Sequence, residues 1–371
     1  MFSNEKLINA IDEQSKSVKT RSLDISFNEL LDMYNNKELI ISPDYQRMFR
    51  WSDEKQSMFI ESLILEMPLP PIFVIEIEEG NYELIDGLQR ISTYLHFRYN
   101  DIDEELREEF SSKKINSALV LSGCDIVKEL NNYTFEKLPR AMQLKLKRNF
   151  IRMEVLRKET DTNIRYHMFK RLNTGGELLS NQEVRNCTIR LLGNKFNDFI
   201  IECSKYEFFK KSIANLKTDD EDRKKDQELV LRYFTLKNNL INYRKDLEFF
   251  LSDYMEKVTT NEYYFDYELE KEIFEYVFKI IYDMYEKNGF SSIIDLKKER
   301  YKSDIIMYFY DSITCGLAKS YSILKSKNKN SIKTNLDKLK CSADFLKIKT
   351  GGKDNTEERI ALVEKTIKEC Y

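Results

Sequence analysis

Asp86, Gly87 and Arg90 are the residues of this 371-residue chain best placed to do chemistry. Tyr82-Glu83-Leu84-Ile85 has the pattern of a short strand, Asp86-Gly87 makes a tight turn, and from Leu88 the apolar positions Ile91, Tyr94 and Leu95 follow helical spacing. A strand that turns at a glycine straight into a helix leaves the first backbone N–H groups of that helix without intrahelical partners. Those donors and the positive end of the helix dipole favour an anion. Arg90, in the first turn, has the fork that binds two phosphate oxygens at once. The stretch therefore reads as a phosphate site built on Gly87 and Arg90. The same residues also spell a common turn that binds nothing, so the rest of the chain decides between the two readings.

Two other stretches bear on it. Asp44–Trp51 joins Arg47 and Arg50 to two aromatics and the only tryptophan. Arg47 follows one strand pattern and Arg90 another, and loops after strands gather on one edge of a mixed sheet. The two arginines are thus expected to share one polyphosphate. In Tyr166–Asn186 a helix carrying Ile164, Met168 and Phe169 inward ends at Asn173-Thr174-Gly175-Gly176. Paired glycines after Asn can take positive φ and present successive N–H groups to an anion. Ser180 and Glu183 form a capping box for the next helix. Arg171, Asn173, Gln182, Arg185 and Asn186 crowd the same turn, and an Asn amide can offer oxygen to Mg²⁺ or N–H to phosphate.

Two basic segments bear on nucleic acid. Lys145, Lys147, Arg148 and Arg152, with Arg157 and Lys158, read either as a solvated cluster or as a DNA contact. Residues 319–353 hold ten lysines against two acids and offer the same choice, the DNA alternative being salt-sensitive. Thr350-Gly351-Gly352-Lys353-Asp354 resembles a P-loop only superficially. It lacks the upstream glycine, and Asp354 stands where a Ser or Thr would ligate Mg²⁺.

The elements that must position these residues follow from pattern. Asn28–Tyr34 reads as a helix, residues 38–41 as a strand, and Ser52 as the N-cap of a helix carrying Met58, Phe59, Leu63 and Ile64. Ile72–Ile77 turns back at Glu79-Gly80 into the strand before Gly87. Thr134–Lys147 reads as a helix and Phe150–Val155 as a half-buried strand. After Asn194 the strand signal fades, and residues 197–215, 226–258, 267–287 and 303–326 keep three-four spacing. The expected fold is α+β: a small mixed-sheet domain over residues 1–160, then an α-helical domain over 161–371.

Composition narrows the class. The net charge of −3 argues against a uniformly basic nucleic-acid coat. The six cysteines match no zinc spacing and read as reduced thiols. His96 and His167, the only histidines, read as packing or surface residues. No apolar run is long enough for a signal core or a membrane span, so a cytoplasmic protein is expected.

Tyr45-Gln46-Arg47 with Trp51, Asp86-Gly87-Leu88-Gln89-Arg90, and Phe169-x-Arg171-Leu172-Asn173-Thr174-Gly175-Gly176 with Leu179-Ser180-x-Gln182-Glu183-x-Arg185-Asn186 occur in one order. Together they resemble the DGQQR-motif family, the N-terminal domain type of GmrSD-like type IV restriction enzymes in the ParB/sulfiredoxin superfamily. Asp226-x-Glu228-x-x-x-Arg232 and the Thr350–Arg359 segment are similar to the family's helical remainder. The resemblance implies a nucleotide-binding, NTP-hydrolysing component of a DNA-targeting defence system. On it, Gly87 and Arg90 match the shared GxxR phosphate loop, and Asp86 and Gln89 would orient nucleotide or water. Arg47, Arg171, Asn173, Gly175 and Gly176 would complete the phosphate site, with Glu183 and Arg185 in support. Mg²⁺ would sit on Asp86 and Asn173. Leu88 departs from the usual Gln, and the loop lacks the Cys that sulfiredoxin chemistry needs. Two isolated histidines cannot supply a His-metal nuclease domain, so a separate nuclease subunit is an expected partner, and homo-oligomers remain open. The alternatives are a Mg²⁺-dependent endonuclease using Asp86 or a neighbouring carboxylate (Glu76, Glu78, Glu83), and a non-catalytic DNA-binding module.

Overall fold

The fold is taken from a computed structural model that describes residues 4–16, 18–41, 49–111, 115–173, 180–217, 220, 223–244 and 246–370. It divides into two compact units, residues 1–179 and 180–371.

The first unit is built on a five-stranded mixed sheet in the order β1-β5-β3-β4-β2. Its strands are β1 (Thr20–Ser26), β2 (Leu39–Ile40), β3 (Ile72–Glu78), β4 (Asn81–Asp86) and β5 (Phe150–Leu156). β3 and β4 form the expected antiparallel hairpin, while β5 runs parallel to β3 and β2 parallel to β4. Val74, Leu84, Ile151, Met153 and Val155 are among the buried residues that the sheet contributes to the core. Around it lie α1 (Asn4–Lys16), α2 (Phe27–Asn35), α3 (Asp53–Ile64), α4 (Leu88–Phe97), α5 (Glu104–Ser111), α6 (Arg140–Arg148) and α7 (Thr162–Asn173). Ser52 caps α3 as its sequence predicts, accepting from the Lys55 N–H. The predicted helix over Thr134–Lys147 is interrupted. A 3₁₀ turn at Phe135–Lys137 stops, Leu138 is extended, and α6 starts only at Arg140. Pro139 is the reason, since it forces the residue before it out of helical conformation.

The second unit is helical: α8 (Asn181–Thr188), α9 (Lys195–Ser204), α10 (Glu207–Ser212), α11 (Lys225–Asn239), α12 (Leu247–Thr259), α13 (Tyr267–Tyr285), α14 (Met307–Lys319), α15 (Tyr321–Leu324), α16 (Lys329–Lys340), α17 (Ala343–Leu346) and α18 (Lys353–Lys368). A two-stranded hairpin, β6 (Ile293–Asp295) with β7 (Arg300–Tyr301), interrupts it; these strands are too short to register as a period. The chain is thus α+β, as expected. The abundant aromatics form this unit's core, with Phe199 edge-on to Phe265 at 5.4 Å and Phe209 edge-on to Phe278 at 4.9 Å. Such pairs add about 0.5–1.5 kcal/mol each beyond the area they bury.

α14 and α18 pack closely because position 316 is glycine. A Cβ there would lie 2.4 Å from Val363 Cγ1 and 2.7 Å from its Cβ. Gly316→Ala is expected to lower unfolding stability by about 1–3 kcal/mol through overpacking, read as a lower urea midpoint with unchanged slope.

Candidate functional site

The junction between β4 and α4 is the sequence-predicted site. Gly87 has φ 103° and ψ 10°, a left-handed conformation that only glycine adopts without strain. A Cβ at this position would lie 2.5 Å from Ile72 Cγ2, so β3 also excludes any side chain here. α4 starts at Gly87 with no side-chain cap.

Each of the next three motif residues is placed by a different contact. Leu88 is buried in the core. Gln89 accepts through Oε1 from the backbone N–H groups of Arg50 (2.9 Å) and Trp51 (3.1 Å), which ties the end of the Asp44–Trp51 segment to α4. Arg90 donates to Asp86 Oδ2 at 3.0 Å, to the Pro71 carbonyl at 3.1 Å and to the Pro70 carbonyl. The guanidinium therefore links the prolyl segment before β3 to the start of α4. Proline lacks an N–H, but its carbonyl still accepts a hydrogen bond, and Arg90 supplies the donor to both prolines.

Asp86 lies at a β-bulge. Phe73 faces Asp86 and Val74 faces Leu84, so Ile85 is the extra residue. Facing residues share a side of the sheet, and Ile75 faces Glu83. The bulge therefore turns Asp86 to the face that carries Glu83, as bulges near functional sites do. Burial pushes the pKa of both carboxyls up, with Arg90 opposing it at Asp86.

Beside this junction is a cavity of about 500 Å³ lined by Phe49, Arg50, Trp51, Asp53, Gln56, His96 and residues 115–120. That is the size of a small-molecule site. His96 Nδ1 is 2.7 Å from Gln56 Oε1, and its Nε2 is 3.1 Å from the Ser117 carbonyl oxygen. The Gln56 amide is turned by its own N–H bond to the Trp51 carbonyl at 3.0 Å. Burial lowers the His96 pKa, with Asp53 opposing. Sequence assigned His96 to packing; it is buried, but it also forms part of the cavity wall. Its position about two turns along the same face of α4 from Gln89 is the only signal the sequence held.

The other predicted residues are placed as follows. Arg47, Gly175 and Gly176 lie outside the described residues. Arg171 is exposed in the last turn of α7 and Asn173 closes that helix, which packs against β4. Gln182, Arg185 and Asn186 have a role that sequence reading missed. Arg185, only 4% exposed, donates to Gln182, Glu228 and Glu248 at 2.9–3.1 Å. Asn186 accepts from Gln182 and donates to Gln227 at 2.6 Å. These residues form a buried polar network that joins α8 to α11 and α12. The Ser180–Glu183 capping box is present. In the basic cluster, Arg152 is bidentate on Asp24, Lys145 lies 3.5 Å from Glu66, and Lys147 lies over the Phe135 ring; Arg148 is exposed. Many lysines of 319–353 are paired too, Lys329 with Asp283 and Lys333 with Glu299 among them. Among the described residues, no group of three His, Cys, Asp or Glu could hold a metal ion, and no helix is long and apolar enough to cross a membrane. The six cysteines are unbridged.

An α+β domain with a strand–glycine–helix junction, closed by the arginine three residues on, is the class that the fold and site define. Residues 27–190 match the family model described as GmrSD restriction endonuclease, N-terminal domain, which bears out the resemblance carried by the motifs. No curated protein and no solved structure matches the chain.

Two expectations follow. Gly87→Ala combines a left-handed backbone with a clash against Ile72 and is expected to cost about 1–3 kcal/mol, measured by chemical denaturation. Glu83 has its folded pKa raised above the ordinary 4.5 by burial. The folded state therefore binds that proton more tightly, and the stability it gives is present in acid and lost as pH rises through the folded pKa. Glu83→Gln should raise the denaturation midpoint at neutral pH and leave it unchanged well below the ordinary glutamate pKa. A midpoint that does not rise at neutral pH rejects the assignment.

Proposed function

We propose that the chain is a nucleotide-binding, NTP-hydrolysing component of a DNA-targeting, restriction-type defence system. The observation that carries this reading is the left-handed Gly87 opening α4 without a side-chain cap, with the Arg90 guanidinium beside it. The match of residues 27–190 to a family described by its restriction endonuclease activity supports the system, and with it the DNA partner.

In this reading the phosphates lie at the junction and the neighbouring cavity receives the rest of the nucleotide. Arg90 exchanges bonds to neutral carbonyls for charge-assisted bonds to phosphate, each worth ~1.5–3 kcal/mol before the exchange is counted. Gln89 positions Arg50 and Trp51 at the cavity wall. Arg47, Arg171 and the Gly175-Gly176 turn are the proposed remaining phosphate contacts, and Lys145, Lys147, Arg148 and Arg152 the proposed DNA contacts. Mg²⁺ fits the donor set in one way. Asp86 offers a single hard carboxylate, with Asn173 proposed beside it, so the ion would arrive with the triphosphate, whose oxygens complete its shell. Bound there, Mg²⁺ would neutralise charge developing on the phosphates. Asp86 also holds the guanidinium in place, so its removal acts on Arg90 as well.

A second reading, Mg²⁺-dependent DNA cleavage at the same loop, draws on the bulge that puts Asp86 on the face of Glu83. One panel separates the two. Phosphate release is measured with four NTPs, with and without modified DNA, alongside plasmid nicking in Mg²⁺. The expected result is NTP hydrolysis that falls to background in Arg90→Ala and Asp86→Asn while circular dichroism stays native. Unchanged hydrolysis in a folded Arg90→Ala protein rejects the site. Nicking by the protein alone, lost in Asp86→Asn, establishes the second reading instead.

A further inference from the structure

We propose that the helical unit carries a second, separate anion pocket, which takes a phosphate group, free or borne on a small ring-containing body. The pocket is a cavity of about 150 Å³ whose lining includes Arg232 with its partner Asp311, Tyr243, Tyr308 and Arg359, together with Thr350 and Gly351. At ~30 Å³ per water, that is room for about five waters, enough for one anionic group and part of a ring but not for a whole nucleoside triphosphate.

Arg359 carries the argument. It is 3% exposed and lies between Tyr308, 4.5 Å from its ring centre, and Phe345, 5.5 Å away. Its two terminal nitrogens donate to the Ile348 and Lys349 carbonyls. Its Nε–H has no acceptor, and among the described residues no carboxylate forms an ion pair with it. The other arginine of the wall differs. Arg232 is neutralised by a bidentate pair with Asp311, both bonds at 2.5 Å. No carboxylate bonds this buried guanidinium directly, although Asp311 and Glu358 act on it through space. A buried cation without a direct partner is costly to keep, and the cavity beside it has room for an anion.

The loop above it adds donors of the same sign. Gly351 and Gly352 both have positive φ, 77° and 84°, and open α18, whose 16 residues begin with no side-chain cap. Asn355 and Thr356 hold the Gly351 and Gly352 carbonyls at 2.8 Å. Arg359 holds the two carbonyls before Thr350, so this loop is fixed from both sides. The segment fails the P-loop pattern as sequence, yet its fold gives a helix N-terminus and a buried cation on one cavity, the arrangement that binds phosphate. The apolar side formed by Leu236, Leu247 and Met307 is where a ring would lie.

The test is isothermal titration of the full chain with inorganic phosphate, with 5′-AMP and with adenosine. Binding of phosphate or AMP is expected, with adenosine silent. AMP tighter than phosphate by about tenfold assigns the ring-borne source, and equal affinity assigns free phosphate. Arg359→Gln should weaken binding about tenfold or more. Thr350→Asp, at an exposed position, places a carboxylate at the rim and should abolish binding in a chain whose fold does not depend on Arg359. In the Arg90→Ala chain, which lacks the phosphate contact proposed for the first unit, the part of the binding that Thr350→Asp and Arg359→Gln remove should persist. No heat at millimolar phosphate and AMP overturns the proposal. So does binding that survives Thr350→Asp and Arg359→Gln but is lost in Arg90→Ala, which assigns the ligand to the first unit and leaves the proposed function standing.

Discussion

The geometry of the β4–α4 junction depends on one charged contact, the Arg90 guanidinium held between Asp86 and the carbonyls of Pro70 and Pro71. It joins the segment entering β3 to the strand that pairs with β3 and to the helix that leaves it. Gly87 makes the contact geometrically possible. Only glycine takes the left-handed turn there without strain, and the missing Cβ lets Ile72 close against the backbone. A side chain at this point would push β3 from the junction and take the prolyl carbonyls out of Arg90's reach. The same contact confines a cation at the start of a helix, where the dipole already favours negative charge.

The second unit holds its charges differently. Arg185 with Glu228 and Glu248, Arg232 with Asp311, and Lys237 with Glu270 are ion pairs with at least one partner buried. Such pairs add little net stability, because desolvation offsets attraction, but each penalises any packing that separates its partners. They specify which helices meet. Lys340 is buried with its amine on the Gly289 carbonyl and Tyr285 beneath it, and burial lowers its pKa to about 8. Arg359, like Lys340, is a buried cation with no direct ion pair among the described residues, though Asp311 and Glu358 act on it through space.

Much of the fold was legible in sequence because its signals are local. The Ser52 cap, the Ser180–Glu183 box, the β3–β4 hairpin and the turn at Gly87 each depend on residues within a few positions of one another. The failures were local patterns that a stronger neighbour overrode or that were too short to show. Pro139 divided a helix that periodicity ran through, and the β6–β7 hairpin was too brief to compete with the helical spacing around it. Gln182, Arg185 and Asn186 were assigned to an anion turn because they are polar and near it in sequence, whereas Gln227, Glu228 and Glu248 use them internally.

Sequence by itself determined the order of elements, the α+β class, the glycine turn and the arginine that closes it, because turn strain, capping and periodicity act within one or two turns of chain. Tertiary structure alone decided which charges are neutralised. Arg232 meets Asp311 across 79 residues, and nothing in the local pattern separates it from Arg359, which forms no direct ion pair among the described residues and bonds to the Ile348 and Lys349 carbonyls instead. Whether a cation is spent on an ion pair or left facing a cavity depends on which helices pack together. Packing is set by the shape of the whole core rather than by any stretch of it.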